Sequence, residues 1–236
     1  MGVSFPNETP AYREARRRLL QREVALRREM EAVAADVRSL PTGGEIPEDY
    51  EFDHIGADGA PAKVRMSELF RPGTDDLIAY HFMFPRHRSD KRQGPGSGPA
   101  AKLPLEEGPC PSCTAMLDNW DGAVLHVEGL GANVVAVAKA PIEHVVAFAS
   151  DHGWRHLKLI SAAGNSFKRD YHGEDEEGQQ MPILTVFHKD ADGVIRLSLR
   201  APVRAHRSGP GSAALWHGRA DVDSARSDPQ RSAGCL

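Results

Sequence analysis

Apolar residues recur along residues 8 to 40 at spacings of mostly three and four: Leu19, Leu26, Met30, Val33, Val37 and Leu40. That spacing predicts one long amphipathic helix, stopped by Pro41 and the Gly43-Gly44 pair. Arginine and glutamate fill the remaining faces, including "EARRR" at 14 to 18. Because Glu14, Glu23 and Glu29 interleave with the arginines, the basic stretch 13 to 28 reads as a solvated, salt-bridged face, not a nucleic-acid handle.

After the glycines the period shortens. "DYEFDHI" and "AKVRM" read as short strands around the turn "GADG", and "SELF" at 67 to 70 as one helical turn. "DDLIAYHFMFP" carries a continuous apolar run at 77 to 84, the mark of a strand buried on both faces. From 85 to 108 the composition turns to Arg, Lys, Gly, Pro and Ser, which predicts a flexible basic insertion loop. A helix opened by "CPSC" is expected to run to about Trp120 and stop at Asp121-Gly122. The strand "NVVAVA" follows at 133 to 138. "APIEHVVAFASDHG" is a helix with Pro141 in its first turn and Gly153 past its end. "HLKLI" is a strand, and "MPILTVFHKDADGVIRLSL" a hairpin turned at Asp190 to Gly193. The sum is an α/β fold, a central mixed sheet flanked by helices. The domain organisation reads as an N-terminal helical arm at 1–45, an α/β domain at 46–202 and a weakly structured extension at 203–236.

Composition narrows the partners. The chain has 236 residues, 40% hydrophobic and 26% charged, enough for a sizeable core, and a formal net charge of −4. No overall basic field exists for nucleic acid, and no apolar run reaches the roughly 18 to 20 residues that span a bilayer. The N-terminus shows no secretory pattern, so a cytoplasmic location with reduced thiols is expected. Neither a phosphate-cradling glycine loop nor a dinucleotide fingerprint is present. Of three cysteines, Cys235 falls in the tail and reads as a solvated thiol, which leaves Cys110 and Cys113.

"EEGPCPSCTAMLDNWDG" at 106 to 122 admits three readings: a redox dithiol, half of a metal site, or two small residues at a helix start. Pro111 suits the first helical position. Cys110 then lies at the helix cap, where free N–H groups favour a thiolate, and Cys113 lies one turn on along the same side. Exchange chemistry asks for an exposed, acidic first thiol and a sheltered second one. Downstream, Met181-Pro182 enters a strand, where a proline is unusual, and X–Pro is the one bond where cis is cheap. Met181–Pro182 is thus either a cis bond with a purpose or a trans proline at a strand start.

The arrangement resembles the thioredoxin fold, in which a cis-proline loop packs beside the Cys-x-x-Cys helix and receives the partner's backbone. "LIAYHFMF", "CPSCTAMLDNWDG", "VVAVAKAPIEHVVAFASDHGW" and "SFKRDYH", with the long N-terminal helix, look like a bacterial family of thioredoxin-like proteins, largely of unknown function and described as predicted dithiol–disulfide isomerases. The likeness spans about residues 10 to 200; the 85–108 insertion is longer and more basic than the family pattern, and the tail echoes it loosely. The resemblance implies Cys110 as nucleophile, Cys113 as resolving thiol and Pro182 as the substrate-backbone contact. His81 stands near the place where thioredoxins keep a buried acid beneath the dithiol. It is a candidate proton shuttle for Cys113, a third metal ligand, or a plain core histidine.

Three functions stay open on these residues. The first is a thiol–disulfide oxidoreductase that needs no cofactor, acts on a disulfide-bearing protein or small molecule, and is recharged by an external thiol reductant. The second is a copper-binding protein, or a copper-dependent enzyme acting on a small molecule, with Cys110, Cys113 and His81 as ligands. The third is a non-enzymatic module that forms a homodimer through its N-terminal helix.

Overall fold

A computed structural model describes residues 5–198. The chain divides into two units at Asp36/Val37, nine residues before the boundary expected from the sequence. The extension expected at 203–236, with Cys235, lies outside the described residues.

The N-terminal unit is helix α1, Pro10–Ser39, with a short lead-in. Glu8 draws the lead-in onto the first turns: its carboxylate accepts from Arg16 at 2.9 Å and from Arg13 at 3.3 Å. The Arg16 hydrogen bond, above all, holds Glu8 down at about 2, well below the usual carboxylate range. No residue of α1 is buried, and Leu19, Leu26 and Met30 of the predicted stripe are all exposed.

The second unit is a seven-stranded mixed sheet. Its strands are β1 Glu51–Ile55, β2 Pro61–Arg65, β3 Asp76–His81, β4 Ala132–Ala138, β5 Lys158–Ser161, β6 Leu184–Lys189 and β7 Ile195–Ser198. Their spatial order is β2-β1-β5-β4-β3-β6-β7. The three central strands are parallel, joined through α2 (Pro111–Gly129) and α3 (Ile142–His152); the β6–β7 hairpin runs antiparallel to β3, and β1–β2 lies on the far edge. The central strands are buried on both faces, as a parallel sheet covered by helices requires. One face packs Ile78, Tyr80, Val134 and Ala136 against Cys113, Leu117 and Val124 of α2 and Val145 and Phe148 of α3. The other packs Leu77, Ala79, Val135 and Val137 against Met66 and Leu69 of a 3₁₀ turn and Phe167 of α4, Phe167–Asp170.

Two local expectations change and one holds. Helix α2 does not stop at Asp121-Gly122 but continues to Gly129. Asp121 is not a terminator; its Oδ1 accepts the backbone N–H groups of Arg155, His156 and Leu157 at 2.9 to 3.0 Å, tying α2 to the turn after α3. Those three donors outweigh burial and lower the Asp121 carboxyl. Helix α3 does end where expected, at Gly153 with φ 71°, the left-handed conformation glycine adopts without steric penalty. The stretch 85–108 is not a flexible insertion. It forms 3₁₀ turns at Pro99–Lys102 and Leu105–Glu107, and Ala100 enters the core against the α2–α3 layer.

Candidate active site at the start of helix α2

The chain leaves β3 through Phe82, Met83 and Phe84, all buried, and the start of α2 returns onto this segment: the Cys110 N–H donates to the Met83 carbonyl at 2.9 Å. Cys110 is the N-cap, with extended backbone, and Pro111 begins the helix. Its carbonyl accepts from the Thr114 N–H at 3.0 Å, so the dithiol spans the first turn. Both cysteines are free thiols. This is the C-terminal edge of the parallel strands, where open α/β sheets place their sites.

The two sulfurs titrate far apart. The Cys113 thiol hydrogen-bonds to Cys110, and the backbone N–H groups of Cys113 and Ser112 point the same way; together they override burial and bring Cys110 down to about 6. The same inter-thiol bond, with burial added, pushes Cys113 up, against weaker help from the Tyr80 hydroxyl and the Met83 N–H. A helix start with free N–H donors is the local structure that favours a thiolate.

The expected exposure of Cys110 does not hold, because residues 86–109 cover it; it is only 1% exposed. The buried Arg86 guanidinium donates to the Arg92 and Pro109 carbonyls at 2.7 and 2.8 Å. Arg92 is gripped by Asp90 at 2.6 and 2.8 Å and reaches down with Nη1 to Ser112 Oγ at 2.8 Å and Nη2 to Cys110 Sγ at 3.7 Å. The basic composition that predicts a flexible loop thus supplies a cation at the sulfur.

His81 is not beneath the dithiol. It extends from β3 on the opposite face, stacked on Phe167 at 5.2 Å, with Nε2 at 3.0 Å from Thr185 Oγ1. Gly173 lies so close that any side chain there would collide with Nδ1. Burial, and then the nearby Lys168 cation, push its pKa well below the ordinary value, so the ring is neutral. The preceding residue, Tyr80, occupies the place assigned to His81. Its buried hydroxyl completes no hydrogen bond, and its ring meets Trp120 edge-on at 5.3 Å. Burial first, and then Cys113, hold the phenol protonated. Trp154 packs on Phe82 and Phe148 and donates to Asp118 at 2.7 Å, as a core residue does.

Pro182 precedes β6 next to the end of β3, where the His81 N–H donates to the Ile183 carbonyl at 2.8 Å. Its bond is trans. The cis peptide among the described residues is instead Phe84–Pro85, where the chain leaves β3 toward the loop. The proposed ligand trio of Cys110, Cys113 and His81 is split by the sheet. No group of three or more His, Cys, Asp or Glu side chains is placed to hold a metal among the described residues.

Lys168 carries the least expected chemistry. It lies on α4, fully buried, and its Nζ donates to the Phe82 carbonyl at 2.8 Å. Burial pushes the amine down to about 7, with partial relief from Cys113 and Glu174.

Mixed sheet, βαβ crossovers, antiparallel hairpin and a Cys-x-x-Cys pair opening the helix after the parallel strand β3 define a thioredoxin-fold protein. The chain belongs to DUF899, a family of bacterial proteins of unknown function whose model matches residues 3–217. Similar solved structures include Enterococcus faecalis AhpC, at 15% identity and TM-score 0.44 over 72% of this chain and 84% of that one. Mycobacterium tuberculosis peroxidoxin BcpB is 17% identical, with TM-score 0.40 over 69% and 91%. Plasmodium yoelii thioredoxin peroxidase I is 17% identical, with TM-score 0.42 over 66% and 76%. No curated protein matches the chain in sequence. Among the described residues, no helix is long and apolar enough to cross a membrane.

Proposed function

We propose that the protein is a thiol–disulfide oxidoreductase in which Cys110 is the nucleophile and Cys113 the resolving thiol. The observation that carries this reading is the split of the pair at the head of α2. Cys110 falls to about 6 while Cys113 is raised, so at neutral pH one sulfur is a thiolate and the other keeps its proton. The Cys110 thiolate attacks a disulfide RS–SR′, forming Cys110–S–SR and expelling R′S⁻. Cys113 then attacks Cys110 Sγ, closing the internal disulfide and releasing RS⁻. An external thiol donates the two electrons that reopen it. The substrate is a disulfide-bearing protein or small molecule that displaces Arg92 on entry, and Pro182 flanks its path at the same edge of the sheet.

Trapping tests this. The Cys113→Ser variant is expected to accumulate a mixed disulfide with glutathione disulfide at Cys110, and Cys110→Ser to give none. Equal trapping at Cys113 alone contradicts the assignment. The exposed Leu19, Leu26 and Met30 stripe of α1 supports a homodimer through that helix, checked by sedimentation of the full chain against a chain lacking residues 1–40.

A further inference from the structure

Resolution demands something awkward of Cys113: a thiol held protonated in a buried site must become an anion. A cation lies one peptide group away. The Phe82 carbonyl accepts from Lys168 Nζ at 2.8 Å, and the N–H of that same Phe82–Met83 peptide favours the thiolate form of Cys113. An ammonium on the oxygen polarises the peptide and strengthens its N–H as a donor, because hydrogen bonds in series reinforce one another in a low dielectric. We propose that Lys168 is the positioning residue for the resolving half-reaction, stabilising the Cys113 thiolate through the Phe82–Met83 peptide.

The surroundings of Lys168 leave it this partner. On the segment after β4, Lys139 is bound to Glu174 at 2.7 Å, so the carboxylate that acts on Lys168 is already neutralised. His81 from β3 is neutral, and no carboxylate lies within ion-pair distance of Lys168 Nζ among the described residues. From α2, Cys113 is the group that favours its protonated form most. Around Cys113 itself are Cys110 and the Tyr80 phenol. A buried cation without a counter-ion is strongly unfavourable. Here the missing counter-ion is the anion that forms transiently on Cys113.

This inference rests on the exchange reading, and its step balances with no further reagent. Cys113 gives up its proton, its sulfur bonds to Cys110 Sγ, and the Cys110–SR bond breaks with its electron pair on RS⁻. That thiolate takes the proton as RSH. Lys168 neither gains nor loses a bond; it lowers the energy of the intermediate anion.

The test uses the full chain in a Cys235→Ser background with glutathione disulfide as the probe. In Lys168→Met, the first step, glutathionylation of Cys110 measured with Cys113→Ser, is expected to stay within about twofold. The second step, glutathione release with closure of the Cys110–Cys113 disulfide, is expected to slow about tenfold at pH 7, with its pH midpoint about one unit higher. Lys168→Gln is expected to repeat the shift, and melting curves report folding of each variant. An unchanged second step with a normal first step overturns the inference and leaves the exchange reading standing. If no mixed disulfide forms at all, the exchange reading fails. The Cys113 midpoint is then read by iodoacetamide alkylation in Cys110→Ser: an upward shift with Lys168→Met supports the role of Lys168, and no shift overturns it.

Discussion

The two faces of strand β3 carry adjacent polar residues with opposite fates. Tyr80 points at the α2 layer, with its hydroxyl near the Cys113 sulfur. His81, one residue on, points at the α4 layer, packed between Phe167 and Thr185 and kept neutral. Successive residues of a strand face opposite sides, so one step in register moves a side chain from chemistry to packing. The comparison teaches that on a sheet covered on both faces, a titratable residue gains meaning from its layer and not from its proximity in sequence to the site.

The largest effect expected is at the dithiol. Cys110→Ser should lower disulfide turnover by about a thousandfold or more, with the fold intact by circular dichroism. On the opposite face, His81→Ala should cost about 2 to 4 kcal/mol of stability in denaturant unfolding, because a buried ring is lost from a packed layer. It should leave the titration of Cys110 unmoved. A shift there of a full unit would return His81 to the site and break the comparison. Tyr80→Phe should do the reverse. Removal of a hydroxyl that has no partner while Cys113 is protonated should leave the melting temperature nearly unchanged, while the Cys113 thiolate loses a donor that favours it. Resolution should slow about threefold to tenfold in stopped-flow measurements.

A pH series sharpens the same contrast. Cys110 falls to about 6 in the folded chain and Lys168 to about 7, each well below its ordinary value. Both groups then hold more protons in the unfolded chain, so stability should rise as pH climbs from about 6 to 9 and fall again on acidification through those folded values. The slope should be shallower in Cys110→Ser and in Lys168→Met across that window, whereas His81→Ala should change it only below about pH 7, where the unfolded imidazole binds a proton that the buried ring does not. The smallest effect expected is from Arg92→Met. Loss of the 3.7 Å contact from a half-exposed guanidinium should raise the Cys110 midpoint by about half a unit, less at high salt.

Much of the fold was legible in the chain. The βαβαβ alternation, the hairpin at Asp190–Gly193 and the Gly153 terminator all follow from period and turn chemistry, and the sheet contains them. So was the placement of Cys110 at a helix cap with Pro111 behind it. The register of β3 was not. Its run from Leu77 to Phe84 is hydrophobic but for His81, with Tyr80 beside it, so no alternation marks which face is which, and the histidine drew the assignment that belongs to Tyr80. Nor could the length of α2 be read, since Asp121-Gly122 looks like a stop until the three N–H groups it caps arrive from residues 155 to 157. Arg92 and Lys168 were hidden for another reason: a surface-like sequence, basic and glycine-rich or "SFKRDYH", says nothing of the tertiary contacts that bring the cation to a sulfur.

At the centre stands a sulfur made acidic by its partner thiol, Cys113, and by the backbone N–H groups at the start of α2. The direct measurement is the pH dependence of Cys110 alkylation by iodoacetamide, with Cys235→Ser and Cys113 left in place. A midpoint at about 6 is the result expected here; a midpoint at or above the unperturbed value of about 8.5 would contradict it.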